Sequence, residues 1–307
     1  MPSSTPSLSL IVPTRGRPEP LRRLLGSVAA TARHLDRIEI VLVTDDDSPV
    51  GSLAFSNLNI KQVVGPPERT MGELNHAGYE ASHGDYVMLL NDDVIVRTRG
   101  WDRTVLECFR QFPDPIALVH VNDTLIRDYL CTFPILSRKY CELIGGICPR
   151  DYERYRIDDH IEDVFNMLAT LGIRRSIYLP DVIFEHCNSV NHPTAGHVYV
   201  SDPEILARDA LRFDATLPVR KQQVRTVLEF IESGHYASRQ VLLDRITDSF
   251  ALRNPGRQLV VRAAWWQRAP RQLLEIGNRI RQCYKRTGIT GLANAAVGRL
   301  NRLRFRD

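Results

Sequence analysis

Two short acidic runs stand directly after apolar stretches. Asp45-Asp46-Asp47-Ser48 follows Ile38–Val43 (IEIVLV), and Asn91-Asp92-Asp93 follows Asp85–Leu90 (DYVMLL). In an open α/β sheet, ligands bind beyond the carboxyl ends of the strands. At such an edge, one run can accept hydrogen bonds from a nucleotide base and the other can hold a divalent cation. Mg2+ and Mn2+ both favour carboxylate and phosphate oxygens. A cation there would neutralise a diphosphate that bare carboxylates repel. The same residue types also make ordinary turns after strands. A third feature is Val12-Pro13-Thr14-Arg15-Gly16-Arg17-Pro18, which supplies a turn, a hydroxyl and two guanidinium groups. Arginine pairs bidentately with phosphate. No GxxxxGK[ST] is present and no GxGxxG follows a strand, so neither a P-loop nor a dinucleotide fingerprint is expected.

These groups need a scaffold, and the front of the chain alternates in a way that supplies one. Leu8–Val12 (LSLIV), Ile38–Val43, Ile60–Val64, Asp85–Leu90 and Ile116–Val121 read as strands. Between them, Leu21, Leu24, Leu25, Val28 and Ala29 recur at helical spacing behind Pro18 and Pro20. Thr70-Met-Gly-Glu73 matches a capping box, so a helix is expected from there to about Ser82. Another is expected around Trp101–Phe112. The alternation predicts a mainly parallel sheet flanked by helices. Further on, Ser137–Ile144 reads as a helix stopped by Gly145-Gly146, and Ile161, Val164, Phe165, Leu168 and Leu171 trace one apolar stripe. Ser176–Leu179 and Val182–Phe184 read as two short strands around Pro180-Asp181. After about residue 200 the pattern is helical: Arg220–Glu232, Ala237–Phe250, Gln258–Trp266, Arg271–Lys285 and Ala293–Phe305.

Composition sets the outer bounds. With 307 residues, 43% hydrophobic and 25% charged, the chain has ordinary globular make-up, which excludes wholesale disorder and a disulfide miniprotein. No apolar run is long enough for a membrane-spanning helix, and the opening residues do not have an export leader's pattern. Six cysteines without a CxxC pair read as reduced, mostly buried thiols. The formal charge of +4 hides an asymmetry. Residues 1–214 carry 22 basic and 30 acidic side chains, net −8; residues 215–307 carry 18 and 6, net +12. The expected division is therefore a catalytic domain over 1–214 and a basic helical region over 215–307.

Taken in order, five stretches resemble glycosyltransferase family 2. They are SLIVPTRGRPEPLRRLLGSV, IEIVLVTDDDS, ERTMGELNHAGYEASHGDYVMLLNDDVIV, YRIDDHIEDVFNMLATLG and LPDVIFEHCN. The resemblance spans roughly residues 7–190 and implies the Rossmann-like GT-A fold with a C-terminal helical extension. It implies that Pro13, Thr14 and Arg15 border the nucleotide, that Asp45 or Asp46 holds the base, and that Arg69 lies near the nucleotide. It puts Asp92 at the ribose or sugar and makes Asp93 and His186 ligands of Mn2+ or Mg2+. The family's Asp-x-Asp stretch here begins with Asn91. Transfer in the family inverts the anomeric centre, which asks for a carboxylate base at the acceptor hydroxyl. Asp159 is the expected base, with Asp158, Glu162 and Asp163 as rivals; Asp159-x-x-Glu162 also fits a helix cap. Trp101 could stack on a sugar or fill the core. Gly145 and Gly146 could admit the donor sugar or simply end a helix.

The implied activity is transfer from a nucleoside-diphosphate sugar, UDP-linked by preference, to a hydroxyl of a glycan, lipid-linked or other acceptor. Bacterial surface polysaccharide synthesis in the cytoplasm is the implied setting. A nucleotidyltransferase and a non-catalytic sugar- or membrane-binding scaffold are the competing readings. The basic tail, with Trp265-Trp266 among arginines, suits an anionic membrane surface, packing on the catalytic domain, or a second subunit in a homo-oligomer. No nucleic-acid motif is recognised, and no nucleic-acid partner is expected.

Overall fold

The structure is a computed structural model, and it describes residues 7–47, 50–51, 55–187, 202–232, 237–244, 246 and 259–260. The chain builds one mixed sheet. Its strands are β1 (Leu8–Pro13), β2 (Ile38–Asp45), β3 (Asn59–Gly65), β4 (Tyr86–Leu89), β5 (Val94–Val96), β6 (Leu118–Asn122), β7 (Pro134–Ser137) and β8 (Ser176–His186), with a two-residue β9 (Leu259–Val260) beside β8. The spatial order is β3-β2-β1-β4-β7-β6-β8-β5. The first four are parallel, β7 runs antiparallel to both neighbours, β6 and β8 are parallel, and β5 is antiparallel to β8. The expected α/β class with a mainly parallel GT-A-like sheet therefore holds, with two antiparallel insertions that the alternation did not announce.

Strand composition follows from burial on both faces. Leu10 and Val12 of β1 join Ile40 and Leu42 in one hydrophobic cluster, whereas Ile11 joins Val41 and Val43 in the other. Period-2 alternation thus divides an unbroken apolar run between two cores, as covered parallel strands require. Helix α1 (Pro18–Thr31) covers one face with Leu21, Leu24, Leu25 and Val28. Each such side chain contributes about 2 kcal/mol on burial. Helix α2 (Met71–Ala81) covers the other face. Its capping box is fully formed: Thr70 Oγ1 accepts from Glu73 N at 3.1 Å, and Glu73 Oε2 accepts from Thr70 N at 2.9 Å. Gly78 lets α2 lie close, since a Cβ there would meet Ile11 Cγ2 at 2.4 Å. The outer strand β3 carries Lys61, a charge that discourages edge-to-edge pairing.

Several expectations need correction. The two strands around Pro180-Asp181 are one strand, β8, which absorbs them through a register shift: Val121 pairs with Leu179 but Asn122 with Ile183. A bulge lets the strand bend there without ending. Strands β5 and β7 and helix α6 (Pro203–Ala215) were not anticipated; the two strands are three and four residues long, too short to show a period. Helix α3 (Trp101–Phe109) stops before the expected Phe112, and α4 (Arg138–Ile144) starts after its cap Ser137. Leu259–Val260 forms β9 where a helix was expected. The expected helices at 271–285 and 293–305, the Trp265-Trp266 pair and Cys283 lie outside the described residues. The five described cysteines are buried and free, and burial raises the Cys108 and Cys148 thiols to about 12.

Helix α5 (Ile157–Thr170) departs most from its pattern. Its apolar stripe is buried as expected, but Asp159, His160, Glu162, Asp163 and Asn166 are buried too. The cover is α7 (Leu217–Glu232), whose Val224, Val227 and Leu228 share a core with Ile161, Val164 and Phe165. Arg220 of α7, fully buried, donates from Nε to Asp163 Oδ2 at 2.7 Å and from Nη1 to Phe213 O at 2.6 Å. Among the described residues past 214, α7 is therefore packed into the same core as α5. Among the described residues, no helix is long and apolar enough to cross a membrane.

Two outcomes follow for stability. Arg220→Met strands a buried carboxylate and should cost about 3–5 kcal/mol in urea denaturation; adding Asp163→Leu should recover part of that loss. His160 is wedged between Tyr152 and Gln223, each 3.1 Å away, and burial followed by the Arg220 charge lowers its imidazole to about 3 from an ordinary 6.5. Below pH 6.5 the unfolded chain then binds the extra proton, so stability is complete above 6.5 and falls as pH drops toward about 3, at roughly 1.4 kcal/mol per unit. Denaturation between pH 7 and 5 should show a shallower slope in His160→Gln; an equal slope would refute the assignment.

Candidate active site

Parallel strands align their carboxyl ends, and the order of this sheet reverses at β1. From β1 the chain builds outward through β2 and β3, then returns to place β4 on the other side of β1. In open α/β sheets, ligands bind where the strand order reverses in this way, here at the ends of β1 and β4. Thr14 leaves β1 there and Asp92 leaves β4, and Thr14 Oγ1 donates to Asp92 Oδ2 at 2.6 Å. Asp92 is fully buried. Arg17, from the turn before α1, forms an ion pair with Asp92 Oδ1 and stands 3.5 Å from Asp93 Oδ2. Burial pushes the Asp92 carboxyl above the usual range, against the pull of Arg17 and Thr14.

His186 arrives from 93 residues away through strand pairing. The antiparallel β5–β8 register sets Val94 opposite His186, and Cys187 N donates to Asp93 O at 2.8 Å. His186 Nε2 then lies 3.3 Å from Asp93 Oδ1 and 3.3 Å from Asn91 Nδ2, with the Phe133 ring edge-on at 5.3 Å. Burial works to raise the Asp93 carboxyl, but His186 and then Arg17 outweigh it and hold it below the usual range. Asp93 Oδ1 is buried without a well-aligned donor. A carboxylate oxygen facing an imidazole nitrogen is a donor pair that suits Mn2+, and Mg2+ less well. Among the described residues no group of three or more His, Cys, Asp or Glu side chains forms a cage. A cation here would complete its shell with water and ligand oxygens.

A second cluster lies at the ends of β2 and β3. Asp45 is held by Arg69 Nε at 3.2 Å and faces Arg15 Nη1 at 3.9 Å. Arg69 also donates to Thr44 O at 2.6 Å, and it can do so because Gly65 has no side chain; a Cβ there would meet its guanidinium at 2.7 Å. Asp46 N donates to Gly65 O at 2.8 Å, and Arg15 pairs with Asp47 at 2.6 Å. Pro13 is the buried last residue of β1 and leads directly into Thr14.

The carboxylates of α5 lie beyond a run of contacts that starts at the rim. His186 N donates to Asp123 O at 3.2 Å, Thr132 Oγ1 donates to Asp123 Oδ2 at 2.9 Å, and Cys131 N donates to Glu162 Oε2 at 3.2 Å. Asp159 is 3% exposed and takes a 3.1 Å hydrogen bond from Arg156, whose own φ of 69° sets the helix entry. Asp158, half-buried, accepts from Asp159 N at 3.0 Å. Asp163 is committed to Arg220.

Not every expected residue sits at the rim. Trp101 is fully buried and meets Phe184 edge-on at 5.0 Å, so no face is open to a sugar. Gly145 is the left-handed stop of α4, and a side chain at Gly146 would strike His76 at 2.5 Å, so both glycines serve helix termination and packing against α2. Arg17 was one of the two guanidinium groups offered to a phosphate, but it was not among the residues expected to border the nucleotide. Asp123 carried no assigned role, although Val121-Asn122-Asp123 repeats the strand-then-Asn-Asp pattern of Leu90-Asn91-Asp92. Its carboxylate accepts from the backbone of Leu125, Ile126 and Arg127.

Residues 9–141 match the family model described as glycosyl transferase family 2. No curated protein matches the sequence. Among solved structures, the chain is similar to the mannosyltransferase PcManGT from Pyrobaculum calidifontis in complex with GDP-Man and Mn2+. That similarity has 17% identity and a TM-score of 0.49, over 98% of this chain and 82% of that one. It is also similar to glucosyl-3-phosphoglycerate synthase from Mycobacterium tuberculosis in complex with Mn2+, UDP and phosphoglyceric acid, at 14% identity and a TM-score of 0.46, over 71% of this chain and 79% of that one. For S. aureus TarS the values are 12% and 0.46, over 75% of this chain, which spans 44% of TarS. The matched stretch holds Thr14, Asp45, Arg69 and the Asp92–Asp93 pair, so it is over residues 9–141 that the chain matches a family 2 glycosyltransferase domain.

Proposed function

We propose that this glycosyltransferase takes a nucleoside-diphosphate sugar, UDP-linked by preference, and transfers the sugar with inversion to a hydroxyl of a glycan or lipid-linked acceptor. One observation carries the reading: Thr14, Arg17, Asp92, Asp93 and His186 converge through side-chain contacts beyond the ends of β1 and β4. In this proposal the Asp45–Arg69 cluster takes the base, Asp92 orients the ribose or sugar, and Asp93 with His186 holds Mn2+ or Mg2+. A cation bound there supplies positive charge to the leaving diphosphate. Arg15 and Arg17 add positive charge and hydrogen-bond donors for that diphosphate.

Asp159 is the proposed base. It must come within about 3 Å of the acceptor hydroxyl to take its proton. The first turn of α5 carries it, and Arg156 keeps its carboxylate in one orientation. Asp158 is the second candidate because it is the more exposed of the two. Asp163 is set aside because its pairing with Arg220 ties it to the α5–α7 contact. Surface polysaccharide synthesis on the cytoplasmic side of a membrane is the setting proposed for this chemistry, with the basic region past 214 as the membrane or subunit contact.

Calorimetric titration with UDP should show binding that depends on Mn2+, and Asp93→Ala should remove the metal dependence. Binding indifferent to both metal and mutation would place the site elsewhere. Once a panel of nucleotide sugars identifies the donor, Asp159→Asn should lower kcat about 10²–10⁴-fold with donor affinity unchanged. A larger loss in Asp158→Asn, with Asp159→Asn active, would transfer the role.

A further inference from the structure

We propose that Arg17 is an exchange residue: without donor it neutralises Asp92 and Asp93, and when the donor arrives with its cation it moves to the diphosphate. The inference rests on the donor and metal reading above and adds an order to it: the cation enters with the nucleotide and not before.

Geometry supports the first state. One guanidinium reaches both carboxylates, with Nη2 on Asp92 and Nη1 3.5 Å from Asp93 Oδ2. Asp92 is fully buried and Asp93 18% exposed, so two adjacent acids sit where water screens them little. Thr14 donates one hydrogen bond but no charge. His186 reaches Asp93 on its other oxygen. Arg17 is thus the permanently charged group shared by the pair.

The second state follows from charge and access. A divalent ion between Asp93 and His186 would lie within a few ångströms of the guanidinium, and the two positive groups would compete for one carboxylate. With two protein ligands and no cage around them, the ion gains little from the protein alone. A diphosphate changes both terms, since its oxygens complete the ion's shell and offer the guanidinium a new bidentate partner. Arg17 is free to move. Its side chain is 34% exposed, and although Arg17 is the N-cap residue of α1, its side chain makes no capping hydrogen bond to that helix. Withdrawal from the carboxylates disturbs neither hydrophobic cluster.

The test reads the metal directly. Free Mn2+ is followed by its paramagnetic resonance signal while wild type, Arg17→Gln and Asp93→Ala are titrated in, with and without UDP. Wild type should take up Mn2+ weakly alone and strongly with UDP. Arg17→Gln should bind Mn2+ alone at least about tenfold more tightly than wild type, while its affinity for UDP in the presence of Mn2+ falls. Arg17→Lys keeps the charge but cannot bridge two carboxylates, so it should lie between them; it also serves if the glutamine variant does not fold. Equal uptake of Mn2+ alone by wild type and the Arg17 variants overturns the exchange, even if UDP binding remains metal-dependent and the proposed function survives. UDP binding that ignores Mn2+ in wild type overturns both.

Discussion

Two neighbouring carboxylates, Asp92 and Asp93, are withdrawn from water at the end of β4, and much of the architecture answers the cost of that burial. Each negative charge needs a partner within a few ångströms. The partners come from elsewhere in the chain: Arg17 and Thr14 from the turn after β1, and His186 from the end of β8. Three strand ends must therefore meet. Parallel pairing of β1 with β4 brings the first two together, and antiparallel pairing of β5 with β8 brings the third. The site is a consequence of sheet order before it is a consequence of any single loop.

A second buried ion pair links that rim to the rest of the molecule. Asp163 and Arg220 join α5 to α7, and the same α5 carries Asp158 and Asp159 in its first turn. Asp209 of α6 adds a further tie, accepting the backbone N–H groups of Glu153, Arg154 and Tyr155 just before α5 begins. Helices α6 and α7 thus fix both the entry and the far side of the helix proposed to carry the base. Buried ion pairs of this kind give little net stability compared with a well-packed apolar contact, but they are costly to break on one side. They specify position more than they add strength, which is what a carboxylate at a reaction centre requires.

Much of this was legible in the residues. The largely apolar runs Leu8–Val12 and Ile38–Val43, each broken by one polar residue (Ser9, Glu39), gave buried strands because such runs suit a strand covered on both faces. Thr70 and Glu73 announced α2 because a capping box is a local hydrogen-bond pattern with few alternatives. Asp45 and Asp92 stood out as candidates because carboxylates directly after strands have a known place in a parallel sheet. Failures came where the signal was short or non-local. Strands β5 and β7 are held by neighbours, not by propensity. Trp101 has an aromatic ring that suits a sugar or a core equally well, and its packing on Phe184 decided between them. Arg17 sits beside Arg15 in one turn, yet Arg15 faces Asp45 and Asp47 while Arg17 faces Asp92 and Asp93. Side-chain direction, which composition does not encode, separates their environments.

Sequence alone determined the kinds of chemistry available and the elements that carry them. It supplied acidic strand ends, a basic turn after β1, a capped helix and a carboxylate-rich helix start, all set by local spacing and hydrogen bonding. Tertiary structure decided which of those groups meet. His186 reaches Asp93 only through the β5–β8 register, and His160 and Asp163 of α5 find their buried partners, Gln223 and Arg220, on α7. The physical reason is the same in both cases. Pairing between distant strands and helices is fixed by burial summed over many residues, and no local window of the chain contains that sum.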